Sequence, residues 1–226
     1  MIVTKTKYTT IKNFTIYGER CSGTKYLEKT IYNSFNIPIT WEFGHKHFFG
    51  HTSINSLREA KNTLFIGIIR NPFNWIQSFY KEGYHIHPNK MNSMNLFVMS
   101  DWYSVCDNYE ENPLDRNYLT KERYSNIVDM RNHKNEYLIN TMPIIVNNYC
   151  LLNYDLMLKD QDLYLQKIQH IFGLKRTSYK PQVKIKPYYY THNNHYNFIC
   201  SNLNWKNENM IGFYKELYPE NYILNK

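Results

Sequence analysis

Apolar and polar positions in the first part of the chain follow first a strand pattern and then a helix pattern. Residues 14–17 form a short apolar run with strand propensity that ends at Gly18, and apolar residues then recur at helical spacing over residues 24–35. This pattern predicts a strand, a tight loop and a helix. A second strand is predicted within residues 39–49, and a short helix over residues 53–60.

A continuous apolar run over residues 64–69 is typical of a central strand that is buried on both faces of a parallel sheet. The run stops at Arg70, and Pro72 suits the first turn of a helix that apolar positions carry to about residue 83. Residues 84–117 are polar and irregular, which indicates a long excursion with short helices.

The second half of the chain continues the alternation of strands and helices. Helical periodicity resumes over residues 118–139, residues 143–146 indicate a buried strand, and an amphipathic helix spans residues 161–172 with Gly173 as its cap. A last helix is predicted over residues 207–217. The alternation predicts an α/β fold, a three-layer α/β/α sandwich with a mainly parallel central sheet and with ligands at the carboxyl ends of its strands.

Composition supports a folded chain with a basic surface. The 226 residues are 42% hydrophobic and 17% aromatic, which fits one globular domain over residues 1–226. The net charge of +8 suits a polyanionic partner, such as nucleic acid, an anionic membrane surface or a multiply phosphorylated small molecule. No apolar run is long enough to cross a bilayer, and the N-terminal residues lack the apolar core of a signal peptide. We therefore expect a soluble, cytoplasmic protein.

Four cysteines are widely separated along the chain, with no CxxC pair. This spacing predicts reduced thiols. The cysteines are Cys21, Cys106, Cys150 and Cys200.

The loop between the first predicted strand and helix has the position of an anion-binding turn. Backbone N–H groups and the helix dipole converge where a strand feeds a helix, and two glycines let the backbone approach a ligand. An ordinary glycine-containing turn is the alternative. The candidate binding residues are Gly18, Arg20, Cys21, Ser22, Gly23, Thr24 and Lys25.

This loop differs from a Walker A loop in one informative respect. The spacing of its two glycines fits, but Thr24 precedes Lys25, whereas the Walker order places the lysine first. The strand over residues 64–69 is followed by Arg70 instead of the aspartate that a magnesium–nucleotide enzyme would place there. The sequence therefore predicts a phosphate site without a magnesium carboxylate.

Two motifs resemble those of the sulfotransferases that use 3′-phosphoadenosine 5′-phosphosulfate (PAPS). Their 5′-phosphosulfate loop ends in Ser-Gly-Thr, as residues 22–24 do here. The family also places an arginine at the end of a strand and a serine eight residues later, as Arg70 and Ser78 are placed here, and both hold the 3′-phosphate. An arginine fork suits a phosphate dianion. The resemblance implies a P-loop NTPase-like fold, the cofactor PAPS and the product adenosine 3′,5′-bisphosphate.

A third stretch, from residues 144–146 through 153–156 to 172–174, is similar to the family's strand, Tyr-Glu-Asp-Leu segment and helix end. By this likeness Tyr154 lies beside the adenine; a tyrosine that packs against the edge of the sheet is the alternative. The family often carries a cation where Cys21 stands, so we predict that Arg20 supplies that charge, with Lys25 as the alternative. A sulfotransferase-like protein that binds the cofactor without catalysis stays open.

The candidate catalytic base lies in residues 44–49, which end in His47-Phe48-Phe49. In related carbohydrate sulfotransferases a Glu two residues before His-Phe-Phe is the base, and His45 stands at that position. If the segment is extended, His45 and His47 share one side and Lys46, a candidate catalytic cation, faces the other. We predict His47 as the base, with His45 second, because imidazole titrates near neutrality.

Other polar clusters receive a plainer interpretation. His45, His47 and His51 form HxHxxxH, and His192 and His195 form a second pair, but no adjacent carboxylate or thiol completes a ligand set, so no metal is expected.

Two basic features farther along the chain fall outside the motifs. Arg131 and Lys134 lie one turn apart on a predicted helix and are interpreted as a solvated face, with a face toward an anionic acceptor or the cofactor as the alternative. Residues 184–195 are aromatic and basic and are a candidate for a loop that closes over the cofactor.

The sequence therefore predicts an enzyme that transfers a sulfuryl group from PAPS to a hydroxyl or amine of an unidentified acceptor, with carbohydrate among the candidates. A P-loop kinase of a nucleotide or small molecule shares the architecture and is the first alternative. A basic nucleic-acid-binding protein, in which tyrosines stack on bases, is the second. Nucleic acid is not the partner that the two motifs favour.

Overall fold

The computed structural model describes residues 1–6, 9–180 and 195–218 and has an α/β fold. Its strands are β1 (Ile2–Lys5), β2 (Asn13–Tyr17), β3 (Thr63–Ile69) and β4 (Asn148–Asn153). Its helices are α1 (Thr24–Phe35), α2 (Ile54–Glu59), α3 (Pro72–Glu82), α4 (Met94–Met99), α5 (Ile127–Glu136), α6 (Met142–Ile145), α7 (Tyr154–Lys159), α8 (Gln161–Phe172), α9 (Tyr196–Asn202) and α10 (Trp205–Met210).

The four strands form one mixed sheet in the order β1-β4-β3-β2. β2, β3 and β4 are parallel, and β1, which the sequence did not predict, pairs antiparallel with β4. Tyr17 is in register with Gly67, and Ile69 with Asn153. The carboxyl ends of the three parallel strands therefore lie at the same edge of the sheet, where open α/β sheets bind their ligands.

Both faces of the sheet are buried. One face carries the aliphatic residues of β2, β3 and β4, which form a core with α1, α7 and α8. The other face is aromatic, with Tyr17 stacked on Phe49 and Phe43 packed against Phe65. Because every residue of β3 is buried, its apolar run has the two-faced burial that the sequence predicts for a central strand.

The predicted second strand over residues 39–49 does not form. Only Ile39 bridges, in parallel, to Phe14, and turns follow it. Gly44 has a φ of 95°, which ends extended backbone. Even so, β2 has a pairing partner on each side: Ile39, which comes next in the chain, on one side, and β3 on the other. The chain thus changes sides after β2, and the end of β2 is a topological switch point.

The strand predicted over residues 143–146 is also wrong, because these residues form most of the short helix α6, in which Ile144 is exposed. The strand follows as β4 and begins at the buried Asn148. The side chain of Asn148 donates to Lys61 O (2.7 Å) and accepts from the Thr9 hydroxyl (2.9 Å). These hydrogen bonds satisfy a polar residue that the apolar pattern excluded from a strand.

The chain divides into two compact units, Met1–Arg70 with Tyr137–Lys186 and Asn71–Glu136 with Pro187–Lys226. The first unit contains the whole sheet. In the second, α3 begins as predicted, with Pro72 in its first turn and the Asn71 side chain accepting from the backbone of residues 73 and 74. The predicted helix over residues 207–217 is shorter, because α10 ends at Met210 and only a 3₁₀ turn, Lys215–Leu217, follows.

Buried ion pairs lie inside the second unit. Arg131 donates to both carboxylate oxygens of Glu208 at 2.7 and 2.9 Å, and Lys134 donates to Asp115. The side chains of Arg131 and Lys134 are each 3% exposed, so the predicted solvated face is wrong. Charges this deep require such partners.

A more exposed ion-pair network surrounds Arg123, whose guanidinium binds Asp101 at 2.8 Å and Glu111 at 2.7 Å. Partial burial is the largest single influence and opposes ionisation of both carboxyl groups. Arg123, together with Lys90 beside Asp101 and Arg116 beside Glu111, outweighs it and lowers the pKa of each.

Three further predictions concern thiols, membrane segments and the late loop. All four cysteines are free thiols, as predicted. Over the described part of the chain, no helix has the length and apolar character to cross a membrane. The loop predicted over residues 184–195 lies outside the described residues except for His195.

Candidate functional site

The loop after β2 has the backbone of a tight strand-to-helix turn. Cys21 and Gly23 both adopt positive φ, 62° and 91°, and the Ser22 amide donates to Glu19 O at 3.1 Å. Helix α1 then begins at Thr24, with Gly23 as an N-cap that supplies no side-chain hydrogen bond. The first-turn amides of α1 have no acceptor within the helix, so this end of α1 can bind an anion.

Both glycines of the loop are in close contact with their surroundings. A Cβ atom on Gly23 would lie 2.3 Å from Tyr154 Cε2, and one on Gly18 would lie 2.7 Å from Ile68 O. Any larger residue would displace its neighbour. The ring of Tyr154 therefore packs directly on the loop, and burial raises the pKa of its hydroxyl.

Arg70 joins the end of β3 to this loop. Its Nη1 donates to Cys21 O at 3.0 Å, and its guanidinium carbon lies 5.3 Å from the centroid of the Tyr154 ring. Tyr154 in turn follows β4 as the first residue of α7, where the Asn153 side chain caps the helix by accepting from Leu156 N. Three predicted site elements, one after each parallel strand, thus contact one another.

The two candidate bases differ in their hydrogen bonds. His47 Nδ1 lies 2.6 Å from Gly18 O, and because a carbonyl only accepts, Nδ1 carries the proton. His45 Nδ1 accepts from the backbone N–H of His47 at 3.3 Å, so its ring proton is on Nε2. In neutral rings the remaining lone pair is therefore on Nε2 of His47 but on Nδ1 of His45, where it is already used.

The segment that carries these histidines is fixed to the loop. The Gly18 amide donates to Lys46 O at 3.0 Å, next to the bond from His47 to Gly18 O. The two imidazole rings lie 5.1 Å apart in an edge-on arrangement. The segment is a turn instead of the extended strand that the sequence predicts, yet both histidines lie beside the loop, with His45 exposed and His47 half-buried.

The two cations predicted to assist catalysis are both paired with carboxylates. Arg20 is 2% exposed, lies 3.3 Å from Glu19 and packs its guanidinium over Phe48 at 5.1 Å. The Lys46 ammonium lies 3.3 Å from Glu28 on α1. Arg20 therefore borders the histidine segment, whereas the side chain of Lys46 extends along α1.

The remaining predicted residues belong to the loop, to the first turn of α1 or to α3. Ser22 is buried in the loop, Thr24 is buried as the first residue of α1, and Lys25 is exposed on the same turn. Ser78 is buried on α3, in the second unit, so its pairing with Arg70 at a 3′-phosphate stays a prediction.

Sequence reasoning assigned no role to Glu19 or Phe48, although both lie in the predicted segments, and it missed Glu28. Glu19 could have been noticed as the neighbour of Arg20 in a buried loop. Nothing in the sequence signals the pairing of Glu28 with Lys46, because the two residues belong to different segments.

No group of three or more His, Cys, Asp or Glu side chains suited to a metal ion occurs within residues 1–6, 9–180 and 195–218. No protein-family model matches the chain, and neither curated proteins nor solved structures give a significant match. A functional proposal therefore depends on the residues of the chain and on their contacts.

Proposed function

We propose that this protein is a PAPS-dependent sulfotransferase that transfers a sulfuryl group to a hydroxyl or amine of an acceptor. The observation that carries the proposal is the contact among the loop, Arg70 and Tyr154, since the resemblance assigns each of these three to the same nucleotide. Arg70 Nη1 lies 3.0 Å from Cys21 O and its guanidinium lies over the Tyr154 ring. An α/β/α sandwich with a P-loop-like strand order is part of the same proposal.

The residues present fit the cofactor in their chemistry. The N-terminus of α1 and the hydroxyls of Ser22 and Thr24 are suited to the 5′-phosphosulfate, with Lys25 on the same turn. Arg70 would hold the 3′-phosphate, and the flat ring of Tyr154 suits adenine. The close approach at Gly23 supports this fit, because the absence of a side chain there lets the Tyr154 ring lie directly against the loop.

When bound, PAPS supplies an activated sulfuryl group whose bond to the nucleotide phosphate breaks as the acceptor oxygen or nitrogen bonds to sulfur. The protein must then remove the acceptor proton and offset negative charge. His47 is suited to removing the proton, because its Nδ1–H is held by Gly18 O, which directs the lone pair to Nε2. His45 is less suited, since its Nδ1 already accepts a hydrogen bond.

Arg20 is the candidate for charge stabilisation because it packs against Phe48, next to His47 in the chain. Its ion pair with Glu19 holds the guanidinium in place and reduces its net field. Arg20 therefore acts chiefly by position, as a fixed donor group beside the base.

Calorimetry with adenosine 3′,5′-bisphosphate tests the cofactor assignment. The wild type should bind without metal, and Arg70→Ala should bind at least tenfold more weakly, since a charged hydrogen bond contributes about 1.5–3 kcal/mol. Arg58→Ala, which removes an exposed arginine of α2 in the same unit, is the matched control and should bind normally. Unfolding midpoints of all three proteins show whether the variants remain folded.

Two results would contradict the assignment. One is equal binding by Arg70→Ala and the wild type. The other is tight, magnesium-dependent binding of ATP without binding of the bisphosphate, which would favour the P-loop kinase. If the bisphosphate binds, His47→Ala should slow sulfuryl transfer by about 10²–10⁴-fold while leaving bisphosphate affinity within about twofold, because a base contributes to rate and little to ground-state binding.

A further inference from the structure

A cleft of about 390 Å³ lies along α1, and its polar walls are mainly basic. Lys25, Lys29 and Lys46 line it, together with Glu28. Three ammonium groups and one carboxylate leave two net positive charges in this cleft, which we call the basic cleft. A concave surface of one sign raises the local concentration of ligands of the opposite sign.

One of these cations is held in place. The side chain of Lys46 is 11% exposed, its ammonium lies 3.3 Å from Glu28 Oε2, and it lies 5.5 Å from the centroid of the Trp41 ring. A cation restrained on two sides loses less side-chain entropy when it binds an anion than a mobile surface lysine does.

Exposed aromatic faces accompany the charges. Tyr32, in the wall of the cleft, is 51% exposed, and Trp41, next to Lys46, is 45% exposed. Ile39, which is partly exposed, adds an apolar portion to the lining, with the buried Phe14 behind it. A ring with an apolar face and an anionic substituent, such as an acidic sugar, would contact both kinds of surface.

We infer that the basic cleft is the acceptor site and that the acceptor is a molecule with an anionic group, a carboxylate, sulfate or phosphate, next to its reacting hydroxyl or amine. This inference rests on the proposed function. Lys46 lines the cleft, and its ammonium lies 5.5 Å from the centroid of the Trp41 ring. The Trp41 ring stacks on His45 at 6.2 Å, and the His45 ring lies 5.1 Å from that of His47. These contacts connect the cleft to the candidate base, so an anion bound at Lys46 would hold the acceptor beside the histidine segment.

Binding of defined tetrasaccharides tests the inference without needing turnover. The probes are a sulfated, a uronate-containing and a phosphorylated tetrasaccharide, with a neutral one of the same length as reference, and binding is followed by calorimetry and by tryptophan fluorescence. At least one anionic probe should bind at least tenfold more tightly than the neutral one. Lys29→Gln, which alters a cleft residue outside the predicted machinery, should weaken that probe about fivefold, since one screened contact charge contributes about 1 kcal/mol.

Lys159→Gln is the matched control, because Lys159 is an exposed lysine of α7 in the same unit and lies outside the lining of the cleft. It should leave probe binding unchanged. Equal weakening by both variants, no preference for anionic probes, or displacement of the probe by single-stranded oligonucleotide at lower concentration would each overturn the inference.

The bisphosphate measured on the same proteins separates the two proposals. If Lys29→Gln binds adenosine 3′,5′-bisphosphate like the wild type but loses the anionic saccharide, the acceptor assignment is supported. If the bisphosphate binds and no anionic probe does, the acceptor assignment is wrong and the cofactor assignment survives. If no bisphosphate binds to any of the proteins, the proposed function has failed, and the acceptor role fails with it.

Discussion

Replacing Gly23 with alanine should destabilise the protein in two separable ways. Gly23 has a φ of 91°, and an alanine in left-handed backbone costs about 1–2 kcal/mol. Its Cβ would also lie 2.3 Å from Tyr154 Cε2, whereas carbon atoms normally approach to about 3.5–4.0 Å. Forcing the ring aside adds about 1–3 kcal/mol of overpacking. The free energy of unfolding should therefore fall by about 2–5 kcal/mol in total.

Two comparisons separate the backbone term from the contact term. Gly173, which ends α8, has a φ of 66° and nothing within 4 Å of a Cβ atom, so Gly173→Ala should lose only about 1–2 kcal/mol. In a Tyr154→Ala background the contact disappears, and Gly23→Ala should then cost about 1–3 kcal/mol less than it does in the wild type.

Urea denaturation of the single and double variants measures these free energies, and thermal unfolding checks them at about 2–4 °C for each kcal/mol. If Gly23→Ala costs the same with and without the Tyr154 ring, the ring does not pack on the loop. If it costs no more than an exposed surface substitution, the loop does not have the left-handed backbone described for it. Neither outcome depends on what the protein binds.

Three further predictions concern other parts of the chain. Glu208→Ala should lower the free energy of unfolding by about 3–5 kcal/mol in urea denaturation, because it leaves Arg131 buried without its carboxylate; a loss below about 1 kcal/mol would contradict this. Burial raises the pKa of Cys150 to about 12, so timed thiol labelling read by mass spectrometry should modify exposed Cys106 in the native protein and Cys150 only on unfolding. Arg123 helps to lower the pKa of Asp101 and Glu111, so their contribution to stability is present above about pH 4 and is lost as the pH falls through their native pKa values. The difference in unfolding free energy between the wild type and Arg123→Ala should therefore shrink in acid. A difference that stays constant with pH would refute this prediction.

Local signals explain which elements the sequence could predict. The helix over residues 24–35, the central strand ending at residue 69 and the helix over residues 161–172 all agree with α1, β3 and α8. Each of them depends on periodicity or on end signals within a few residues, such as Pro72 after Asn71 or Gly173 after α8. Such signals are local and do not depend on the rest of the fold.

The predictions that proved wrong concern residues whose structure depends on contacts with distant segments. Residues 143–146 look like a strand but form α6, while β4 begins at an asparagine whose hydrogen-bond partners come from distant segments. Arg131 and Lys134 look like a solvated face, yet they are buried because acidic partners reach them from other segments. In each case long-range pairing outweighs the local pattern, and a single sequence does not contain that information.

The candidate site could be predicted only in part. Predicting neighbouring parallel strands is enough to bring the loop and Arg70, which directly follow two of them, to one edge of the sheet. Tyr154 is associated with them only by the resemblance, because the strand before it is predicted at residues 143–146 and lies at Asn148–Asn153. Their actual contacts could not be predicted, because they depend on a ring packed on Gly23 and on a side chain that bonds to a carbonyl.

Cys21 contributes to the loop through its backbone carbonyl oxygen, which accepts a hydrogen bond from Arg70. The sulfotransferases that the sequence resembles often carry a cation at this position, and Arg20 is predicted to replace it, but Arg20 packs between Glu19 and Phe48. A guanidinium does reach position 21, from Arg70, and it bonds to the backbone oxygen at 3.0 Å. Because that bond uses no side-chain atom of residue 21, a cysteine there leaves it intact. Arg70 therefore holds the loop, and under the proposed function its loss would disturb both the loop and the 3′-phosphate site, whereas loss of Arg20 would affect the surroundings of Phe48 and His47 alone.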